Sequence, residues 1–189
     1  MEVFLNWHEW AATEPELREL VDARTADDVA AAVEFATRRH GEQKRPTGAP
    51  YLEHLLEALE VLVRGARITE RDILCAAVLH DVVEDTPCTV QDITQSFGPH
   101  IAELVEWVTI PQDQAKEAYL RQLTQAPDDA KLVKLADRVS NVQTLRNLRL
   151  EKQRSYYAQT VTYIVPMAQS FPWFAGWYAA WQRAHADLA

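Results

Sequence analysis

The segment Ile73-Leu74-Cys75-Ala76-Ala77-Val78-Leu79-His80-Asp81-Val82-Val83 governs how the rest of the chain is read. Wound as a helix, it places apolar side chains in every direction, and a helix that is apolar all round is buried on all sides. Yet His80 and Asp81 stand inside it. Burying an imidazole beside a carboxylate is costly unless something pairs with them. Two partners are open at this point: a hydrogen-bonded core neighbour, or a metal ion.

Outward from this segment the pattern stays helical. Thr13–Arg24 and Thr25–His40 read as the first two helices, with Thr25 as N-cap and acids following it at the positive end of the dipole. Gly41–Pro50, holding Pro46, Gly48 and Pro50, reads as a loop. Helices are then expected over Tyr51–Val63, Thr69–Val83, Val90–Ser96, Pro99–Val108, Gln114–Gln125 and Asp128–Leu148, with two more up to the C-terminus. No alternating strand and no linker is evident. The expected fold class is therefore all-α, a single-domain bundle of about 8 to 10 helices.

Composition agrees. With 48% hydrophobic residues in 189, the chain has the material for one core, and only 5 glycines argue against a turn-rich sheet protein. No stretch approaches about 18 consecutive apolar residues, so no membrane span is expected, and Met1-Glu2-Val3-Phe4 lacks the basic, then apolar, start of a signal peptide. Cys75 and Cys88 do not make a disulfide framework, which points to a reducing, cytoplasmic setting. A formal charge of −9 argues against nucleic-acid binding but leaves room for a small anion, because a pocket's local charge matters more than the total. The bases are in fact clustered: Arg38, Arg39, Lys44 and Arg45 in one segment, Lys131, Lys134 and Arg138 in another.

Two other helices carry polar residues of interest. On Tyr51–Val63 the leucines form an apolar stripe and Glu53, Glu57 and Glu60 the expected solvated face, with His54 on the flank between them. On the long helix, Lys134, Asp137, Arg138 and Asn141 share one side by the i, i+3, i+4, i+7 rule, opposite Leu132, Leu135, Ala136, Val139 and Val142. A polar patch at one end of a covered helix suits the wall of a cleft. His54, His80, Asp81 and Asp137 together offer two imidazoles and two carboxylates, a set that suits Mn²⁺, and also Fe²⁺ or Zn²⁺, without a thiolate to select zinc. Glu84 and Asp85 follow Asp81 by three and four residues, on its side if the helix keeps its last turn. A carboxylate there either takes a proton from water or merely caps a loop.

These residues resemble three motifs of the Rel/Spo hydrolase domains, within the HD phosphohydrolases. The matches are Arg45-Pro-Thr-Gly48-Ala-Pro50-Tyr51-Leu-Glu-His54, His80-Asp81-x-x-Glu84-Asp85, and Lys131-Leu-Val-Lys134-Leu-Ala-Asp137-Arg138-Val-Ser-Asn141, in the family's order. The family-like core runs over about 25–150, with 151–189 as a helical extension. The length leaves no room for a synthetase or regulatory domain, so the similarity is to the stand-alone small alarmone hydrolases. The resemblance implies an HD-type bundle with His54, His80, Asp81 and Asp137 holding one Mn²⁺, and Glu84 and Asp85 activating the attacking water. Asn141 would contact ribose or phosphate, Arg45 the base or a phosphate, and Lys134 and Arg138 would neighbour phosphates. The implied reaction is attack of the activated water on the 3′ phosphorus of (p)ppGpp or (p)ppApp, releasing pyrophosphate.

The chain departs from the family pattern at Pro46, Leu55, Ser140 and Val108-Thr109-Ile110, and the first and third of these leave guanine or adenine open. Two rival readings are a broader HD nucleotidase, including NADPH 2′-phosphatase, and an antitoxin module that neutralises an alarmone-making toxin by contact. Self-association is also open. Trp173, Trp177 and Trp181 recur every four residues and are expected to pack on the core, with Trp7 and Trp10 against them. His8, His40, His100 and His185 receive no ligand role.

Overall fold

Helix α4 (Arg71–Leu79) lies at the centre, as its all-round apolar sequence requires. Ile73 to Leu79 are all buried, and Cys75 is so enclosed that its thiol is pushed up to about 12. In this computed structural model, which describes all residues Met1–Ala189, the chain forms ten helices of eight residues or more, two short ones, and no strand. The first three are α1 (Trp10–Leu20), α2 (Ala23–His40) and α3 (Leu52–Glu60), the last widening into a π-helical turn over Val61–Ala66. After α4 come α5 (Val82–Asp85), α6 (Val90–Phe97), α7 (Pro99–Val108), α8 (Lys116–Leu123) and α9 (Asp128–Val142). The C-terminal part is α10 (Leu150–Gln159), α11 (Val165–Ala168) and α12 (Pro172–Ala184). Around α4 pack α2, α3, α7 and α9, and α3 also packs on α9.

Several boundaries differ from expectation, each for a local reason. The N-cap of α2 is Asp22: its carboxylate accepts the N–H of Thr25 at 3.1 Å and the Thr25 hydroxyl at 2.6 Å, so the cap lies one turn earlier. The expected Thr69–Val83 helix breaks at His80 and Asp81. His80 Nδ1 meets the Ala77 carbonyl at 2.7 Å, and Asp81 adopts φ −99°, ψ −4°, the sparsely used bridge region. The long helix ends at Val142 rather than Leu148, and a short 3₁₀ turn follows over Leu145–Asn147. The loop 41–50 is pinched by one antiparallel bridge, Lys44 to Pro50.

The predicted solvated face of α3 is the largest departure. Glu57 and Glu60 are buried, at 4% and 0% exposure: Asn6 and Trp7 cover Glu60, and Arg45, Ser140 and Gln143 enclose Glu57. Glu60 accepts the backbone N–H groups of Asn6 and Trp7 at 2.9 and 3.1 Å and pairs with Arg64 at 2.8 Å. Buried carboxylates survive only when paired in this way. Phe4 and Trp173 close over Gly65, where a Cβ would run into both rings. Trp177 and Trp181 are buried as expected, but the N-terminal segment meets the tail through Glu2 and Phe4, whereas Trp7 donates to Glu16.

Candidate metal centre

Two helix ends and the middle of a third helix bring the predicted ligands to one point. His54 sits in the first turn of α3, His80 and Asp81 at the break after α4, and Asp137 in the middle of α9. The His54 and His80 Nε2 atoms are 3.1 Å apart. Asp137 Oδ1 is 3.3 and 3.7 Å from them, and Asp81 Oδ2 is 3.4 and 3.1 Å from them. A cation about 2.0 to 2.2 Å from each donor needs donors spaced by about 3.0 to 3.5 Å. His54, His80 and Asp137 come close enough together to hold an ion, and Asp81 Oδ2 lies against both imidazoles.

Tautomers strengthen that fit. Each Nδ1 is engaged elsewhere: His80 with the Ala77 carbonyl, His54 with the Ser140 hydroxyl at 2.8 Å. A carbonyl accepts only, so His80 Nδ1 carries the proton and Nε2 is left as a lone pair facing inward. Two such lone pairs 3.1 Å apart, beside two carboxylates, are mutually repulsive unless a proton or a cation lies between them.

Charge balance points the same way. Burial alone would lower both imidazoles, but Asp137 and Asp81 outweigh it for His54, and Asp81 with Asp137 hold His80 well above its usual range. Burial opposes ionisation of the carboxylates too. His80 above all keeps Asp81, and Lys134 keeps Asp137, well below the ordinary value. The arrangement therefore holds positive charge avidly. Further contacts aim the carboxylates: the Tyr51 hydroxyl donates to Asp81 Oδ2 at 2.6 Å, Lys134 pairs with Asp137 Oδ2 at 2.8 Å, and the Asn141 amide donates to Asp137.

This centre forms the floor of a small cleft of about 170 Å³. Glu84, Lys134, Arg138 and Asn141 line it, as does Asp81. Glu84 accepts the Ile110 N–H at 2.9 Å, and burial raises its carboxyl above the ordinary range despite that bond and nearby Lys134. Asp85 turns elsewhere and accepts from Gln43 at 2.9 Å. Both lie on α5, and as consecutive helical residues they point about 100° apart, so the two acids diverge. Arg45 is not part of the lining: its Nη1 donates to Glu57 at 2.6 Å.

The cleft also contains residues to which sequence reading assigns no site role. Lys116 at the start of α8, and Tyr119, Tyr51 and Tyr156, all line it. Arg138 lies 5.3 Å above the Tyr156 ring, with Nε and Nη1 buried and unpartnered. Lys116 is lowered by burial and then by the charges of Arg138 and Lys134. Three crowded cations facing open space make a seat for anions. A basic residue at the N-terminus of an undistinguished helix gives no warning in the sequence, and Tyr156 arrives from the C-terminal extension. His40, at the end of α2, stacks on Tyr51 at 4.6 Å and thereby supports the Asp81 contact.

Residues 32–170 match the family described as HD domain. The guanosine-3′,5′-bis(diphosphate) 3′-pyrophosphohydrolase of Aquifex aeolicus (strain VF5) is 38% identical over 76% of this chain and 21% of its own length. The Homo sapiens guanosine-3′,5′-bis(diphosphate) 3′-pyrophosphohydrolase MESH1 is 39% identical over 60% of this chain and 67% of its own. The chain thus spans about a fifth of the bacterial relative's length and two thirds of the human one's. Among solved structures, a metazoan ortholog of SpoT, described as hydrolysing ppGpp and playing a role in starvation responses, superposes with a TM-score of 0.75. Identity there is 27%, and the match covers 83% of this chain and 94% of that one.

Proposed function

This chain belongs to the HD-domain family, and we propose that it is a Mn²⁺-dependent hydrolase that removes the 3′-pyrophosphate of alarmone nucleotides, (p)ppGpp or (p)ppApp. The observation that carries this reading is one cleft with His54, His80 and Asp137 gathered at its floor, Asp81 beside the two imidazoles, and Lys116, Lys134 and Arg138 in its wall. That pairing suits a substrate rich in phosphate charge, and the names of the bacterial and human relatives give its class.

His54, His80, Asp81 and Asp137 would hold the ion, and their nitrogen and oxygen donors suit Mn²⁺ while admitting Fe²⁺ or Zn²⁺. When bound, it supplies Lewis acidity at a phosphoryl oxygen and a lowered pKa for water. Glu84, on the same cleft and with a raised carboxyl, takes the proton of the attacking water, while Asp85 points away from it and is held by Gln43. Lys134 and Arg138 stabilise negative charge on the phosphates, Lys116 adds a third cation, and Asn141 meets the ribose or a phosphate. Arg45 reaches the base only from the rim, since one of its nitrogens is committed to Glu57. No helix is long and apolar enough to cross a membrane, and we place the protein in the cytoplasm.

The test is to incubate the protein and an Asp81→Ala variant with Mn²⁺ and either ppGpp or ppApp, and to quantify pyrophosphate and the nucleotide product. Metal-dependent pyrophosphate release, lost in the variant, is expected. Orthophosphate release from other nucleotides, with neither alarmone cleaved, would favour a broader HD nucleotidase. Neutralisation of an alarmone-making toxin that survives Asp81→Ala would favour the antitoxin reading.

A further inference from the structure

His80 fixes its tautomer with a backbone carbonyl, but His54 relies on side chains. Its Nδ1 lies 2.8 Å from Ser140 Oγ, and the same hydroxyl bonds Glu57 Oε2. A hydroxyl has one proton, and an ionised carboxylate can only accept. Ser140 therefore donates to Glu57 and accepts from His54, which places the proton on Nδ1 and leaves the Nε2 lone pair facing the centre. Glu57 in turn is gripped from two sides. Arg45 Nη1 holds Oε1 at 2.6 Å and Gln143 Nε2 approaches Oε2 at 3.4 Å. Gln143 is itself clamped by the Phe4 peptide, which donates to it at 2.7 Å and accepts from it at 2.9 Å.

We propose that Glu57 is a positioning residue for His54, acting through Ser140, and that Arg45 serves the metal centre by holding Glu57. The inference rests on the reading of His54 as a metal ligand. Glu57 and Ser140 are 4% and 0% exposed, so the bonds are shielded from water that would loosen them. A buried ion pair is weak support for stability, since apolar residues of the same volume generally pack as well. Its connection to a ligand imidazole gives it a second use. Outer-sphere partners of this kind set the ring orientation and basicity of a ligating histidine.

The experiment is calorimetric titration of the full-length, metal-stripped protein with Mn²⁺, with melting of each metal-free variant read alongside. His54→Ala is expected to lose most of the binding. Ser140→Ala and Glu57→Ala are each expected to weaken it by about 10- to 100-fold, as for other outer-sphere partners. Glu57→Gln, whose amide oxygen still accepts the Ser140 proton but whose NH2 then faces the Arg45 donor, should recover only part of that loss. If Glu57→Ala fails to fold, Ser140→Ala decides alone. Wild-type affinity in Ser140→Ala, with binding lost in His54→Ala, overturns the positioning role and keeps the metal centre. Equal Mn²⁺ binding by the wild type and His54→Ala overturns the metal reading itself, and this proposal with it.

Discussion

The cleft floor and the tryptophan-rich C-terminal face both bury polar atoms among apolar ones, yet they treat those atoms differently. In the C-terminal face four side chains turn a polar atom to a backbone carbonyl. Trp181 Nε1 donates to Val142 at 3.0 Å, the Tyr178 hydroxyl to Leu135 at 2.9 Å, and Trp177 Nε1 to Glu2 at 2.9 Å. His185, 4% exposed, places Nδ1 on the Trp181 carbonyl at 2.9 Å, much as His80 places its own on Ala77 at 2.7 Å. The two histidines differ at the other nitrogen. His80 Nε2 meets a second imidazole and two carboxylates, whereas the His185 ring packs on Trp181. Burial alone therefore does not mark a functional histidine. What marks it is a second ring atom held, with others, around a shared point.

Substitutions can break or sharpen that contrast. The largest effect is expected at the floor: His80→Ala should reduce hydrolysis to background and remove tight Mn²⁺ binding, measured by turnover and calorimetry. Chelation of the wild type should give the same loss, reversed by adding Mn²⁺. Next, Glu84→Gln should cost about 10²- to 10⁴-fold in kcat, the usual worth of a general base, while leaving Mn²⁺ affinity nearly unchanged. Because burial raises the Glu84 carboxyl, the wild-type rate should fall toward acid pH at a higher pH than an ordinary carboxylate would dictate. Below its pKa the group is protonated and cannot accept a proton, so Glu84→Gln should flatten that acid limb.

At the C-terminal face the same logic predicts losses of stability only. Trp181→Ala should cost about 3 to 5 kcal/mol by opening a cavity, seen in denaturant unfolding, with unchanged Mn²⁺ affinity in the folded fraction. The smallest effect is expected for His185→Ala, about 1 to 2 kcal/mol for one lost hydrogen bond and some packing, with kcat unmoved. A metal-binding defect in either variant would mean that the two regions are coupled.

The sequence alone determined the all-helical class and the buried central segment, and its resemblance to the Rel/Spo motifs singled out His54, His80, Asp81 and Asp137. These follow from local regularities: apolar residues in every direction of one helix, polar residues at i, i+3, i+4 and i+7 on another, and short motifs whose spacing does not depend on what lies across the fold. The tertiary structure alone decided that Glu57 and Glu60 are buried, that the helix breaks at Asp81, that Asp85 parts from Glu84, and that Lys116 and Tyr156 line the cleft. A side chain's exposure and partners depend on which distant segment covers it. Asn6 and Trp7 lie over α3 and the C-terminal extension lies over the cleft, and periodicity within a helix carries no record of either.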